Sequence, residues 1–144
     1  MTIKFTLPIY TYTTKKKITL MSLNWFRNAY FRVINNVKQE YHKIVFSQLI
    51  KEHEFDGMFI VSSRLFYKNG SCDLKNVDGV IDKFAVDALQ KAGVIRNDNV
   101  KYYVCSIPEV AGIDKDNPRI EFTVTDEPEI LLEVYKRMKE KFNK

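Results

Sequence analysis

The chain has 144 residues, 45% of them hydrophobic and 13% aromatic, and this composition indicates one domain with a core of its own. Five glycines and four prolines are too few for a low-complexity chain, and two cysteines are too few for a disulfide framework. Lys, Thr or Pro interrupts every apolar run near the N-terminus, and no segment reaches the roughly 20 apolar residues of a membrane helix. We therefore expect a soluble cytoplasmic protein with reduced cysteines and no membrane partner.

The net charge of +5 is unevenly distributed along the chain. Residues 1–53 carry nine Lys and Arg against two acids, a net +7, and the remainder carries 14 against 16, a net −2. A basic half attracts phosphate backbones, whereas a cluster of acids repels them unless cations intervene. The alternative is that +5 is ordinary for a small protein, so charge alone does not establish nucleic-acid binding.

The first predicted elements are a strand and a second extended segment. Alternating apolar residues over 3–9 predict a half-buried strand, and Pro8 indicates an edge strand or a late break in it. A basic turn at 15–17 then leads into a short extended piece around 18–21.

A long helix is predicted next, because apolar residues follow helical spacing from Phe26 to Leu49. Ser22 and Asn24 are the two candidate N-caps. The pair Asn35-Asn36 is the point where a break or kink is expected.

The rest of the chain is predicted to alternate strands and helices. Gly93 stands where a helix needs a left-handed C-cap. Strands are predicted over 58–67, 100–107 and 119–125, and helices over 75–92 and 127–142. The element order predicts an α+β fold, with residues 1–144 forming a single domain in which two to three helices pack on a mixed sheet.

The segment 71–99 contains five aspartates, although aspartate favours caps and turns over helix interiors. Asp73 suits a helix N-cap and Asp98 suits turn chemistry. Asp78 is expected on the solvated face of the helix, and for Asp82 a solvated position and a functional one stay open.

On a helical wheel, Asn76, Lys83 and Asp87 share one flank of the apolar stripe, and Asp78 and Asp82 lie on the other flank, roughly 120° or more away. Oxygen ligands without a His or Cys cluster would select Mg²⁺ or Mn²⁺ over zinc. Spacing alone supports such a site only weakly.

The same segment resembles the RusA family of Holliday-junction resolvases. The resemblance lies in Asp73-Leu74-Lys75-Asn76, in KFAVDAL at 83–89, in Gly93, and in Asn97-Asp98 before a predicted strand. It matches without a gap from 83 to 98 and covers about 30 residues by motif. It implies a RusA-like fold and a metal-dependent endonuclease that resolves four-way DNA junctions as a homodimer, in a bacterial or phage-infected cell.

The resemblance also implies roles for individual residues. Asp73 and Asp98, with Asp87 as a third ligand, would hold Mg²⁺, or Mn²⁺ in its place, and Lys83 would stabilise the charge developing on the phosphate. Asn76 would position these groups, and Asp87 is also a candidate for that role. The candidate phosphate contacts are Lys15, Lys16, Lys17, Arg27, Arg32 and Lys38.

Two departures from the family pattern leave alternatives open. Lys75 replaces an aspartate and Asn97 replaces another, and either Asp82 or Asp87 is the candidate to supply the missing carboxylate. Without a replacement, the expected protein is a catalytically inactive binder of branched or duplex DNA on the same scaffold. A basic protein-interaction module without a nucleic-acid role is the third reading.

Overall fold

Two sheets and four helices make up residues 1–49 and 54–144, the part of the chain that this computed structural model describes. The strands are β1 (Thr2–Pro8), β2 (Tyr10–Tyr12), β3 (Ile18–Leu20), β4 (Phe59–Tyr67), β5 (Tyr103–Ile113) and β6 (Arg119–Thr125). The helices are α1 (Leu23–Asn28), α2 (Phe31–Gln48), α3 (Leu74–Lys91) and α4 (Ile130–Phe142). The predicted α+β fold with a mixed sheet is confirmed, with four helices in the described residues where two or three were expected.

The larger sheet has the strand order β1-β6-β4-β5, and β2 pairs with β3 in a separate hairpin. The β4 and β5 strands are parallel and are joined by α3, whereas β6 runs antiparallel to both of its neighbours. β1 is an edge strand that ends at Pro8, as predicted, because an edge tolerates the missing N–H of proline.

The core lies between the sheet and the two helices α2 and α3. Phe84 of α3 is 1% exposed and its ring packs 5.4 Å from the ring of Tyr41, whose hydroxyl donates to the Pro8 carbonyl at 2.6 Å. The α3 helix is predicted almost to the residue, and Gly93 has the positive φ of 76° expected of a left-handed C-cap. On the other side of the sheet, Arg137 of α4 donates to Glu109 of β5.

The long N-terminal helix is interrupted earlier than the sequence predicted. Ser22 caps the short α1, its hydroxyl accepting from the Trp25 amide at 3.2 Å. Ala29 and Tyr30 then adopt extended backbone, with ψ of 148° and 137°, before α2 begins. The predicted break at Asn35-Asn36 is wrong, because both residues are exposed within α2 and their polar side chains are free to face water.

The β5 strand continues to Ile113, although the sequence predicted its end at residue 107 and a loop after it. Pairing with β4 sustains the extra length, from Ser63 opposite Pro108 to Tyr67 opposite Ile113. Pro108 is tolerated because β5 is also an edge strand. Sequence periodicity could not reveal this, since the pairing partner is about 45 residues away along the chain.

Cys72 and Cys105 are free thiols. Among the described residues, none of the helices is both long enough and apolar enough to span a bilayer.

Candidate nucleic-acid interface and the predicted metal ligands

The N-terminal segment is basic throughout, because residues 1–39 include no aspartate or glutamate. Lys15, Lys16 and Lys17 are exposed at the tip of the β2–β3 hairpin, which the Thr13 amide closes by donating to the Lys17 carbonyl at 3.0 Å. Arg27 of α1 and Arg32 of α2 are also exposed. We call these five cations the basic region: Lys15, Lys16, Lys17, Arg27 and Arg32.

No ion pair within residues 1–49 and 54–144 involves a cation of the basic region. Their charge is therefore available to a partner. Lys51 and Glu52, which belong to the basic half of the sequence, lie outside the described residues.

Three aromatic rings are exposed within the same segment. Tyr12 is 61%, Tyr30 59% and Phe31 60% exposed, although large rings are usually buried. The Arg32 guanidinium lies 5.9 Å from the centre of the Phe31 ring. Exposed rings interleaved with cations are the combination by which proteins hold bases and phosphates together.

Lys38, which the sequence placed among the phosphate contacts, does not belong to the basic region. Its Nζ lies 2.8 Å from Oδ2 of Asp87, and both side chains are about 70% buried at the junction of α2 and α3. This contact depends on how two helices pack, so the helical wheel of α2 alone could not predict it.

The three predicted metal ligands do not come together within one chain. Asp73 caps the start of α3, and Asp87 lies 14 residues later on that helix, about 21 Å along its axis. Asp98 lies beyond the end of α3, in the turn before β5. Among the described residues, no group of three His, Cys, Asp or Glu side chains is placed to hold a metal ion.

Asp98 belongs to the end of the sheet where β4 begins, since Tyr102, four residues later, accepts from the amide of Phe59 at 2.8 Å. Asp73 follows the opposite end of β4. Asp73 and Asp98 therefore stand at opposite ends of the β4–α3 unit, and the structure does not bring them together within a single chain.

Asp87 joins two helices in this structure. Its Oδ2 lies 3.2 Å from Nε2 of the buried His42 as well as beside Lys38. Burial alone would raise the pKa of Asp87, but Lys38, His42 and Lys91 hold it below its ordinary value. Asp87 is thus a charged group whose contacts join α2 to α3, and the structure places it apart from Asp73 rather than beside it.

Lys83 and Asn76, the other residues that the resemblance singles out, occupy different surroundings from those expected. Lys83 is exposed and its Nζ lies 5.1 Å from the centre of the Phe26 ring, so it does not pair with Asp87. The backbone N–H of Asn76 donates to Oδ1 of Asp73 at 3.4 Å, and this bond is the capping contact of α3.

Asp78 and Asp82 are two neighbouring carboxyl groups of α3, and the sequence-based expectation was wrong for the first and left open for the second. Asp78 is 6% exposed, which overturns the expected solvated position, and it accepts from the Ser63 hydroxyl at 2.6 Å. Asp82 accepts from the Tyr103 hydroxyl at 3.0 Å. Ser63, a polar residue on the buried face of β4, was the sequence signal that a polar group lies opposite it.

Burial, reinforced by the nearby charge of Asp78, raises the pKa of Asp82 from 3.8 to about 7. Burial also raises the pKa of Asp78, and the bond from Ser63 offsets part of that shift. Asp82 therefore keeps its proton in the folded protein at pH values below about 7.

We expect the free energy of unfolding to fall as the pH rises from about 4 to about 7, because the folded state keeps a proton on Asp82 that the unfolded state releases. The pKa change of about 3 corresponds to a loss of about 4 kcal/mol at most. Urea denaturation of the wild type and of Asp82→Asn at both pH values measures this loss. His42, whose pKa burial and Lys91 lower, gives the opposite trend in both proteins and cancels in the comparison. Parallel pH profiles for the two proteins would contradict the expectation.

No protein-family model matches this chain, and no curated protein matches it. Two features of the chain are candidates for a functional site. They are the basic region, with its exposed rings, and the aspartates distributed along α3. The first suits a polyanion, and the second does not assemble a metal site in one chain.

Proposed function

We propose that the protein binds DNA through the basic region, and that branched DNA such as a four-way junction is its preferred partner. The observation that carries this proposal is the set of five exposed cations in a segment without any acid. Phosphate contacts by Lys and Arg release counterions and supply most of the affinity of such proteins.

The exposed rings support nucleic acid over a generic acidic partner. Tyr12, Tyr30 and Phe31 offer flat surfaces on which bases stack, and stacking tolerates any sequence. The preference for branched DNA rests on the resemblance of residues 83–98 to junction resolvases. A symmetric junction would suit a homodimer, in which each protomer contacts equivalent arms.

Fluorescence anisotropy with a labelled four-way junction, competed by duplex of the same sequence, tests this proposal. We expect the junction to bind more tightly than the duplex, and both affinities to fall as salt is raised. Absence of binding at about 50 mM salt would exclude the proposal and favour a basic protein-interaction module.

A second candidate function is the metal-dependent cleavage of the junction, which the resemblance implies. Asp73, Asp98 and Lys83 are exposed and accessible to a substrate, which favours it. The residues do not fit a Mg²⁺ site within one chain, because α3 separates the carboxylates and Asp87 is paired. A nuclease that used Asp73, Asp87 and Asp98 on one ion would therefore need ligands from more than one protomer.

Two substitutions of Asp73 separate its capping role from a catalytic one. Asn caps helices as well as Asp, whereas Ala does not, so we expect Asp73→Ala to cost about 1 kcal/mol of stability and Asp73→Asn almost nothing. Thermal denaturation of the two variants measures this difference. Equal stability of the two would show that the cap contributes little.

A comparison of the wild type with Asp73→Asn decides between the two candidate functions. Paired nicks made by the wild type in Mg²⁺, absent with EDTA and absent in the stable Asp73→Asn variant, would establish the nuclease. Junction binding without nicks, unchanged in Asp73→Asn, is the result expected of the DNA-binding proposal.

A further inference from the structure

A groove with a volume of about 290 Å³ lies between the β2–β3 hairpin and the junction of α1 with α2. This volume is near the lower end of those that hold small ligands, about 300 Å³. Trp25, the only tryptophan of the chain, lines the groove together with the exposed Tyr30. Lys17 of the basic region lines its hairpin side.

The rest of the lining is uncharged, and the apolar Ala29 and Val33 lie there beside threonine and asparagine side chains. Thr13 directly follows β2 and Thr19 lies in β3, and the two are bonded to each other, Oγ1 to Oγ1, at 2.9 Å. Asn24 and Asn28 come from α1, and the Asn28 amide donates to the Asn24 carbonyl at 2.8 Å. These bonds brace the walls, and the amide and hydroxyl groups can exchange hydrogen bonds with a planar polar ligand.

The combination of aromatic side chains, neutral hydrogen-bonding groups and a cation at the rim is the chemistry that an unpaired nucleotide requires. The base has a flat face for stacking and an edge with donors and acceptors, and its phosphate is an anion. No acidic side chain lines this groove among the described residues, so nothing there repels the phosphate. A base held in a duplex offers neither its flat face nor its Watson–Crick edge, because stacking occupies the first and pairing the second.

We infer that this groove takes an unpaired base of the bound DNA, with Lys17 on the adjacent phosphate. The inference rests on the proposed function, which it deepens by giving a reason for selecting branched over fully paired DNA. Unpaired bases occur at single-stranded ends, and exposing a base at a branch point, where the continuous stack is interrupted, costs less than exposing one within an uninterrupted duplex.

Trp25 reports directly on the groove, because its fluorescence is the only tryptophan signal of the protein. The probes are a short oligothymidylate and an abasic oligonucleotide of the same length, which carry equal phosphate charge and differ only in their bases. We expect the oligothymidylate to bind about tenfold more tightly and to quench Trp25, and the abasic chain to leave the fluorescence unchanged.

A pair of matched variants tests the contribution of the groove to binding. Tyr30→Ala removes a ring at the groove, and Tyr135→Ala removes a ring of similar exposure, 64% against 59%, on α4. We expect Tyr30→Ala alone to lose most of the preference for the oligothymidylate. We expect both variants to remain folded, because replacing an exposed residue changes stability little.

Equal affinities for the two oligonucleotides, with Trp25 fluorescence unchanged and Tyr30→Ala equal to Tyr135→Ala, would overturn the inference and leave DNA binding intact. Failure of the wild type to bind the oligonucleotides, the junction and the duplex at low salt would overturn the proposed function together with it.

Discussion

Replacing Lys15, Lys16 and Lys17 together with alanine is expected to weaken junction binding by about 100-fold at 0.1 M salt. Each lysine that contacts a phosphate contributes about one to the slope of log affinity against log salt, so the slope should also become shallower by about three. The effect is large because the three ammonium groups are exposed at one hairpin tip and have no acid nearby along the chain. Anisotropy titrations at several salt concentrations measure both quantities.

A second triple variant controls for the overall loss of charge. Lys115, Lys136 and Lys139 are exposed and lie outside the basic region, and their replacement by alanine lowers the net charge by the same three units. We expect this control to lose only a few-fold in affinity. An equal loss in both triples would show that net charge, and no particular surface, drives the binding.

Truncating Phe84 to alanine is expected to cost about 3–5 kcal/mol of stability. The ring is 1% exposed and packs against Tyr41 of α2 at 5.4 Å and against Phe26 of α1 at 6.2 Å, so its loss leaves a cavity where three helices meet. Urea denaturation followed by circular dichroism measures the change in the free energy of unfolding.

Phe142→Ala is the matched control, because this ring is 85% exposed near the end of α4. We expect it to change stability by less than about 0.5 kcal/mol. A cost below about 1 kcal/mol for Phe84→Ala would contradict the placement of α3 at the centre of the core. Phe84→Ala should also weaken DNA binding, because the Phe84 ring packs against Phe26 of α1, the helix that carries Arg27.

Most of the fold could be predicted from periodicity because its strongest elements are locally encoded. The β6 strand matches the predicted residues 119–125, and the α3 helix differs by one residue at each end. Both combine a clear apolar pattern with flanking turn or cap residues. The break at Ala29 and Tyr30 escaped prediction because helically spaced apolar residues continue across it, so only the backbone angles reveal it.

The positions of the candidate site residues were predictable only where they depend on the local sequence. A helical wheel gives the angle of Asp73 or Asp87 around α3, but a metal site also depends on distance along the axis and on the path of the chain after Gly93. The burial of Asp78 depends on Ser63 in a distant strand. The exposure of Lys15, Lys16 and Lys17 was easier to predict, because consecutive lysines in a turn have nowhere to be buried.

The central claim, that the basic region binds the DNA backbone, is tested most directly by the salt dependence of junction binding by the wild-type protein. Five phosphate contacts predict a slope of about −4 to −5 in a plot of log affinity against log salt between about 50 and 200 mM. An affinity that does not change with salt, or no binding even at the lowest salt concentration, would contradict the claim.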